Sequence, residues 1–511
     1  MACESEASRR GGDPPRERAG LSCAMRRFAL IPVLATLAGC AGQPADRSLS
    51  FAMPSHFSQA SARAASPALD RWWTRFRSPE LTRLVDAADL GNLDIAAATA
   101  RLAQADAQAR VTAAALFPTV GLSADAQQSR GSGTTTRGVI VSPKPRGVLD
   151  IGLNASYVLD VWGQLQDSAR AAEWIAQASV FDRETVRLAT QASVVTAYFQ
   201  YALAQERLRI AGENLRSAER ILGVVRQRLS AGTGTALDIA QQETLVANQR
   251  ASIPLLRQTA ANARTTLALL LGRPPQGFDV RAAGLSSLAT PRVSAGVPSL
   301  LLVRRPDIRS AEASLAAAEA NVEVARKALL PQIQLTASGG FQSAALSTLL
   351  RPESAFFSLA SGLTQPIFEG GRLRAQIAVS DAQRRELLEA YRKAIVSALS
   401  DVENALTAIR ESDRRDAALR EAAAKAREAF NLSEERLRQG TIDLVTLLNT
   451  QQTLFQAQDA LAQNRLSRLQ ASASLFQALG GDWSGDGRAV PDDRQATTRA
   501  AAAAAVTEMS Q

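Results

Sequence analysis

The chain has a single histidine, His56, among 511 residues, and its three cysteines, Cys3, Cys23 and Cys40, all fall in the first tenth. No disulfide framework and no metal site can be drawn from so few ligands. A Gly-rich phosphate loop and a nucleophile motif are also missing, so catalysis has no footing and an enzyme is not expected. The apolar run at 28–37 is too short to cross a bilayer as a helix, which takes about 20 residues. Aromatics make up only 5% of the chain although 46% of it is hydrophobic. That balance is rich in Ala and Leu, which suits helices packed closely side by side. A net charge of +9 and a pI near 10.1 bring nucleic acid and anionic membrane to mind. The arginines, however, alternate with Glu and Asp along helix faces, and no basic block carries interleaved aromatics, so nucleic acid is not a partner.

Another absence organises the whole chain. Residues 372–439 contain no Gly and no Pro over about 68 positions, which as a helix would reach about 100 Å. Leu388, Tyr391, Ile395, Val402, Leu406 and Ile409 recur at steps of three, four and seven, so this helix has an apolar seam that other helices must cover. Residues 165–230 are a near copy, with Gly212 and Gly223 the weak points. Landmarks on both sides confirm a duplication. Ala115-Leu116-Phe117-Pro118 returns as Ala328-Leu329-Leu330-Pro331, Arg228-Leu229-Ser230-Ala231-Gly232-Thr233 as Arg436-Leu437-Arg438-Gln439-Gly440-Thr441, and Leu271-Gly272 as Leu479-Gly480. The offset, roughly 208 to 213 residues, is too long for a solenoid unit and right for a doubled half.

Taken in order, residues 1–24 are polar and rich in Arg and Pro. Met25-Arg26-Arg27 then opens a short apolar core ending Leu37-Ala38-Gly39-Cys40. This has the form of a signal peptide, with Met25 as the expected true start. Residues 40–71 read as a tether, and order begins at Arg71-Trp72-Trp73, followed by a helix with Leu81, Leu84, Val85 and Ala88 on one face and a second helix over 93–116, stopped by Pro118. The period then changes to two. Residues 119–129 and 148–159 read as strands joined by a loop over 130–146, and the second half repeats the plan around Ile333–Phe341 and Phe357–Leu363 with a loop near 344–353. Strands of about ten residues fit a bilayer, and a sheet in lipid must close on itself. Four strands per chain are too few for that, so two chains giving eight strands or three giving twelve are required. Gly232 and Gly440 end the long helices, and second helices over 237–271 and 444–479 return from them as helical hairpins. Their turns, with Gly232, Thr233, Gly440 and Thr441, lie farthest from the strands, where a partner would dock.

Leu301-Leu302-Val303-Arg304-Arg305-Pro306-Asp307-Ile308-Arg309-Ser310-Ala311-Glu312 resembles the signature that opens the second repeat of the TolC-like outer membrane factors, in the lipoprotein branch of efflux proteins of OprM and NodT type. Gln365-Pro366-Ile367-Phe368-Glu369-Gly370-Gly371 resembles that family's strand-to-helix turn, with Tyr157-Val158-Leu159-Asp160-Val161-Trp162-Gly163 its equivalent in the first repeat. Leu-Ala-Gly-Cys resembles a lipobox, which implies cleavage before Cys40 and diacylglycerol and N-acyl chains on it, with no other cofactor; Ala41 resembles the outer-membrane sorting pattern. The resemblance implies an α+β membrane protein: a homotrimer whose twelve-stranded β-barrel in the outer-membrane lipid of a Gram-negative bacterium continues as an α-helical barrel in the periplasm. It implies an exit duct for small amphiphilic compounds, working with a periplasmic adaptor and an inner-membrane transporter of the resistance-nodulation-division (RND) type. A type I protein-secretion duct and a non-pore structural lipoprotein are the competing readings. In similar proteins, side chains just after the second tip close the periplasmic end. The matching positions are Val445 and Asn449, the latter departing from the usual carboxylate, with Asp443 the nearest candidate for the missing charge. The expected organisation is thus an extension and signal over 1–39, a tether over 40–71, repeats over 72–271 and 301–483 joined by a linker over 272–300, and a disordered tail over 484–511.

Overall fold

The computed structural model describes residues 51–58, 69–130, 135–136, 139–140, 144–282, 284–291, 293 and 295–483. The signal-like segment, Cys40, most of the loop after residue 130 and the tail from 484 lie outside the described residues.

Along the chain run helices α1 (Pro79–Gly91) and α2 (Leu93–Ala113), strands β1 (Thr119–Ser129) and β2 (Arg146–Leu159), and helices α3 (Gln164–Ser230), α4 (Ala236–Leu270) and α5 (Pro306–Lys327). Strands β3 (Gln332–Ser343) and β4 (Ala355–Thr364) and helices α6 (Arg372–Arg438) and α7 (Leu444–Ala478) complete the second half. The two long helices, α3 and α6, have 67 residues each, and the two that return from their tips, α4 and α7, have 35 each. Gly212 and Gly223 do not interrupt α3. The second helix stops three residues short of the sequence expectation, because Ala114–Leu116 tightens into a 3₁₀ turn before Pro118.

Each long helix is flanked by two shorter ones laid end to end. On the strand side α3 packs with α2 and α5, and α6 with α5; on the tip side α3 packs with α4 and α7, and α6 with α7. The joint between the flanking helices has the same construction in both halves. Asn92 caps α2, its Oδ1 accepting from the amides of Asp94 and Ile95, while its Nδ2 donates to Leu270 O at the end of α4 at 2.7 Å. In the second half Arg305 precedes Pro306, the first residue of α5, and donates from Nη1 to Ala478 O at the end of α7 at 3.3 Å. Arg305 also binds Asp307 at 2.7 Å and Asp401 of α6 at 2.9 Å. Burial works against its charge, but the two carboxylates outweigh it and raise the guanidinium pKa above the ordinary value.

The main core lies at this level, midway along the long helices. Trp72 stacks on Phe476 of α7 with centroids 5.3 Å apart, and Phe76 meets Phe199 of α3 edge-on at 4.9 Å. Ser78 caps α1 by accepting from Leu81 N, and its hydroxyl shares a 2.9 Å hydrogen bond with that of Tyr198. The linker over 272–300 wraps this core: Val280, Leu285 and Ala295 are buried in it, and Val280 O accepts from the Tyr201 hydroxyl. The two repeats therefore share one core. The tether expected over 40–71 needs correction over 51–58, because Phe57 is 1% exposed within this core and Ser58 donates twice to Glu403. Phe51 and Met53 pack against the same core, so several apolar side chains and not Phe57 alone hold this segment.

Candidate functional site

The four strands form one antiparallel sheet in the order β1-β2-β3-β4. Its register decides what each face carries. Leu122 opposes Leu153, Tyr157 opposes Leu335 and Ala337 opposes Leu359, so these residues share one face with Val120, Ile151, Ile333, Phe341, Phe357 and Leu363. The other face carries Ser123, Asp125, Asp150, Asn154, Ser156, Gln334, Thr336 and Ser358, interrupted only by Val148, Val158 and Phe356 among its large apolar residues. No long helix packs on the sheet, and the apolar face is bare: Leu122 is 73%, Phe357 90% and Leu359 79% exposed. Outward apolar and inward polar residues are what a strand between lipid and an aqueous lumen requires. Strands β1 and β4 each leave one edge unpaired in the chain. In hydrocarbon those backbone groups must find partners, so one chain is an incomplete wall.

At the opposite ends of the long helices the two tips are built alike. After Ser230, Gly232 N donates to Leu229 O, and Thr233 sends both its amide and its hydroxyl to Arg228 O. After Arg438, Gly440 N donates to Leu437 O, and Thr441 sends the same pair to Arg436 O. This is the Schellman pattern, and Gly232 and Gly440 take the left-handed conformation it needs, at φ 74° and 75°. The tips differ in how the next helix starts. Thr235 and Asp238 form a reciprocal capping box, whereas Asp443 alone caps α7 by accepting from Thr446 N at 2.9 Å. Those Thr446 bonds hold the Asp443 carboxyl below its usual pKa, so it is ionised at the tip. Val445 and Asn449 are exposed one turn apart on α7. The tips are also tied to each other, since Arg228 reaches Leu437 O and Arg220 pairs with Glu434.

Sequence reasoning missed two features. One is Asn92, whose position just before Leu93-Asp94 is an N-cap signal. The other is an ionic cluster in which Arg187 of α3 meets Glu184, Asp482 and Asp89, and Gln191 donates to Asp89. Burial pushes the Asp89 and Asp482 carboxyls up despite the pull of Arg187. His56 is exposed, and its Nδ1 shares a hydrogen bond with the hydroxyl of its neighbour Ser55. Among the described residues no group of side chains could hold a metal, and no helix is long and apolar enough to cross a membrane.

Comparison with known proteins fits this geometry. Residues 84–273 and 297–481 match the outer membrane efflux protein family. The chain is 41% identical over 465 residues to the pyoverdine export outer membrane protein OpmQ of Pseudomonas putida, covering 90% of this chain and 98% of that protein. It is 32% identical over 431 residues to the solvent efflux pump outer membrane protein SrpC of Pseudomonas putida, with 83% and 90% covered. In structure it is similar to the outer-membrane channel OprN, with a TM-score of 0.80 at 28% identity over 86% of this chain and 99% of that one. It is also similar to the open state of the Neisseria gonorrhoeae MtrE outer membrane channel, with a TM-score of 0.77 at 28% identity over 88% and 99%. The protein is a transport channel and not an enzyme, an efflux exit duct that sits in the outer membrane of a Gram-negative bacterium and extends into the periplasm. The chain belongs to the outer membrane efflux protein family.

Proposed function

We propose that three copies close into a twelve-stranded barrel continued by a helical tube, and that this duct carries small amphiphilic compounds outward from an inner-membrane transporter of the RND type. The observation that carries the reading is the sheet with one bare apolar face, one polar face and two open edges. Twelve strands leave an aqueous lumen lined by the polar face, while the apolar face meets lipid. The tips, with Gly232, Thr233, Gly440 and Thr441, are the contact for a periplasmic adaptor protein. Val445 and Asn449 narrow the tube just inside the second tip, with the charge of Asp443 beside them. A neutral amide ring at Asn449 holds cations less strongly than a carboxylate ring would. Acyl chains on Cys40 add a second attachment to the membrane. Because two relatives at 41% identity are named for pyoverdine export, pyoverdine is the cargo to examine beside apolar solvents and drugs.

A clean deletion strain tests this, complemented with wild type or Cys40→Ser. Loss of pyoverdine from the medium, or a fall in solvent tolerance, that wild type restores supports the reading. Unchanged small molecules with secreted proteins missing from the medium would point to a protein-secretion duct instead. Full rescue by Cys40→Ser would remove the lipid anchor from the account.

A further inference from the structure

One end of the sheet continues into the helices of the periplasm, so the other end faces outward. There β1 stops at Ser129 and β2 starts at Arg146, while β3 stops at Ser343 and β4 starts at Ala355. The connections between them lie on the outer side of the membrane. Their charge is unlike that of the helices, where arginines are matched by carboxylates. Residues 130–146 hold Arg130, Arg137, Lys144 and Arg146 with no Asp or Glu, and residues 344–354 hold Arg351 against Glu353.

The second connection is tied by its own hydrogen bonds. Thr348 N donates to Ala345 O at 3.2 Å, Ser354 N to Arg351 O at 3.0 Å, and Ser354 Oγ to Thr348 O at 2.8 Å, and Leu349 is buried. These bonds leave Leu346 and Leu350 bare, at 75% and 74% exposed, with Arg351 next to the second. The connection surmounts the pair Phe341–Ala355 and continues the lipid-facing side that carries Phe341 and Phe357. It also adjoins the start of β2, because a Cβ on Gly147 would stand 3.7 Å from Ala344 O, which brings Arg146 alongside. Lys144, Arg146 and Arg351 are exposed and make no ion pair among the described residues.

We propose that this rim binds the phosphorylated glycolipid of the outer leaflet, with Lys144, Arg146 and Arg351 on its phosphate groups and Leu346 and Leu350 against its acyl chains. The inference uses the outer-membrane setting and goes beyond the transport reading. Cations beside bare apolar side chains match a lipid whose chains lie in the apolar layer and whose charge lies at its surface. A free anion on its way out fits less well. Inside the rim, on the polar face, Asp125 stands directly opposite Asp150, so the lumen turns acidic where such an anion would pass.

The test is lipid retention by the purified full-length protein, followed by native mass spectrometry with divalent ions chelated so that only the protein supplies cations. Lipid A, dephosphorylated lipid A, phosphatidylethanolamine and inorganic phosphate are offered in turn. Wild type should hold lipid A in preference to the other three. Lys144→Gln, Arg146→Gln and Arg351→Gln together should weaken that binding about a hundredfold, at roughly fivefold per cation. Leu346→Ser with Leu350→Ser keeps every cation and should weaken it too, which a purely ionic contact would not show. Equal retention of lipid A and its dephosphorylated form overturns the proposal, as does lipid A held undiminished by the triple variant. Inorganic phosphate that displaces lipid A at equal concentration assigns the cations to a free anion and overturns it also. The comparison of the two lipid A forms needs wild type alone, so it decides even where a variant fails to fold. Because the readout is lipid binding, failure here leaves the export reading standing, and failure of export leaves this one standing.

Discussion

Arg305 shows what single residues contribute in this molecule. It stands in the sequence signature of the family, and its bonds go to Asp307, Asp401 and the last carbonyl of α7, so it joins three helices. Arg305→Ala removes these bonds and is expected to cost about 1–3 kcal/mol, read as a lower melting temperature with the range of exported compounds unchanged. Asp89 acts through its charge. Its pKa is raised by burial, so the ionised form is disfavoured in the folded protein; this group's favourable contribution is fully present below the unfolded pKa and is lost as pH rises through the folded one. Asp89→Asn is therefore expected to stabilise the protein at neutral pH, and the gain should shrink as pH falls toward about 4. Thermal melts of both proteins across that range check the sign. The signature gave Arg305 away in the sequence, but its partner Asp401 lies almost a hundred residues on and no local pattern links them.

Among elements, helices were the most legible. A stretch without Gly or Pro and with a repeating seam can only be a long helix, and its ends fell within a residue of the expected places because Gly371 and the Gly440 turn mark them. Strand faces were legible from alternation, while pairing was not. Strands β2 and β3 pair across the whole first helical hairpin, and only the apolar-face match reveals their register after the fact. The packing of Phe57 into the core was invisible for the same reason, since Phe51, Met53 and Phe57 in a short segment broken by Pro54 carry no period. Within the sheet one glycine is decisive: a Cβ on Gly340 would stand 2.2 Å from Ile151 O, whereas one on Gly362 would meet nothing within 4 Å. Gly340→Ala should separate β2 from β3 and lower the amount of assembled protein in the outer membrane, with Gly362→Ala assembling normally. Immunoblots of unheated membrane fractions distinguish the two.

For the whole molecule, doubling explains both the architecture and its incompleteness. Two halves share one core at mid-height, but each chain ends in two strand edges that it cannot pair itself and in a bare apolar face suited to lipid. The tube that results has its narrowest proposed point beside Asn449, where Asn449→Asp is expected to raise cation over anion selectivity in planar bilayers, measured as a shift in reversal potential under a salt gradient. The central claim is that this protein is the passive exit of an energised pump. The most direct test follows the loss of a preloaded fluorescent amphiphile from re-energised cells that lack every other duct of this family. Cells carrying the wild-type chain with its transporter and adaptor should lose dye rapidly, and cells lacking only this chain should retain it. Equal loss from both would contradict the account.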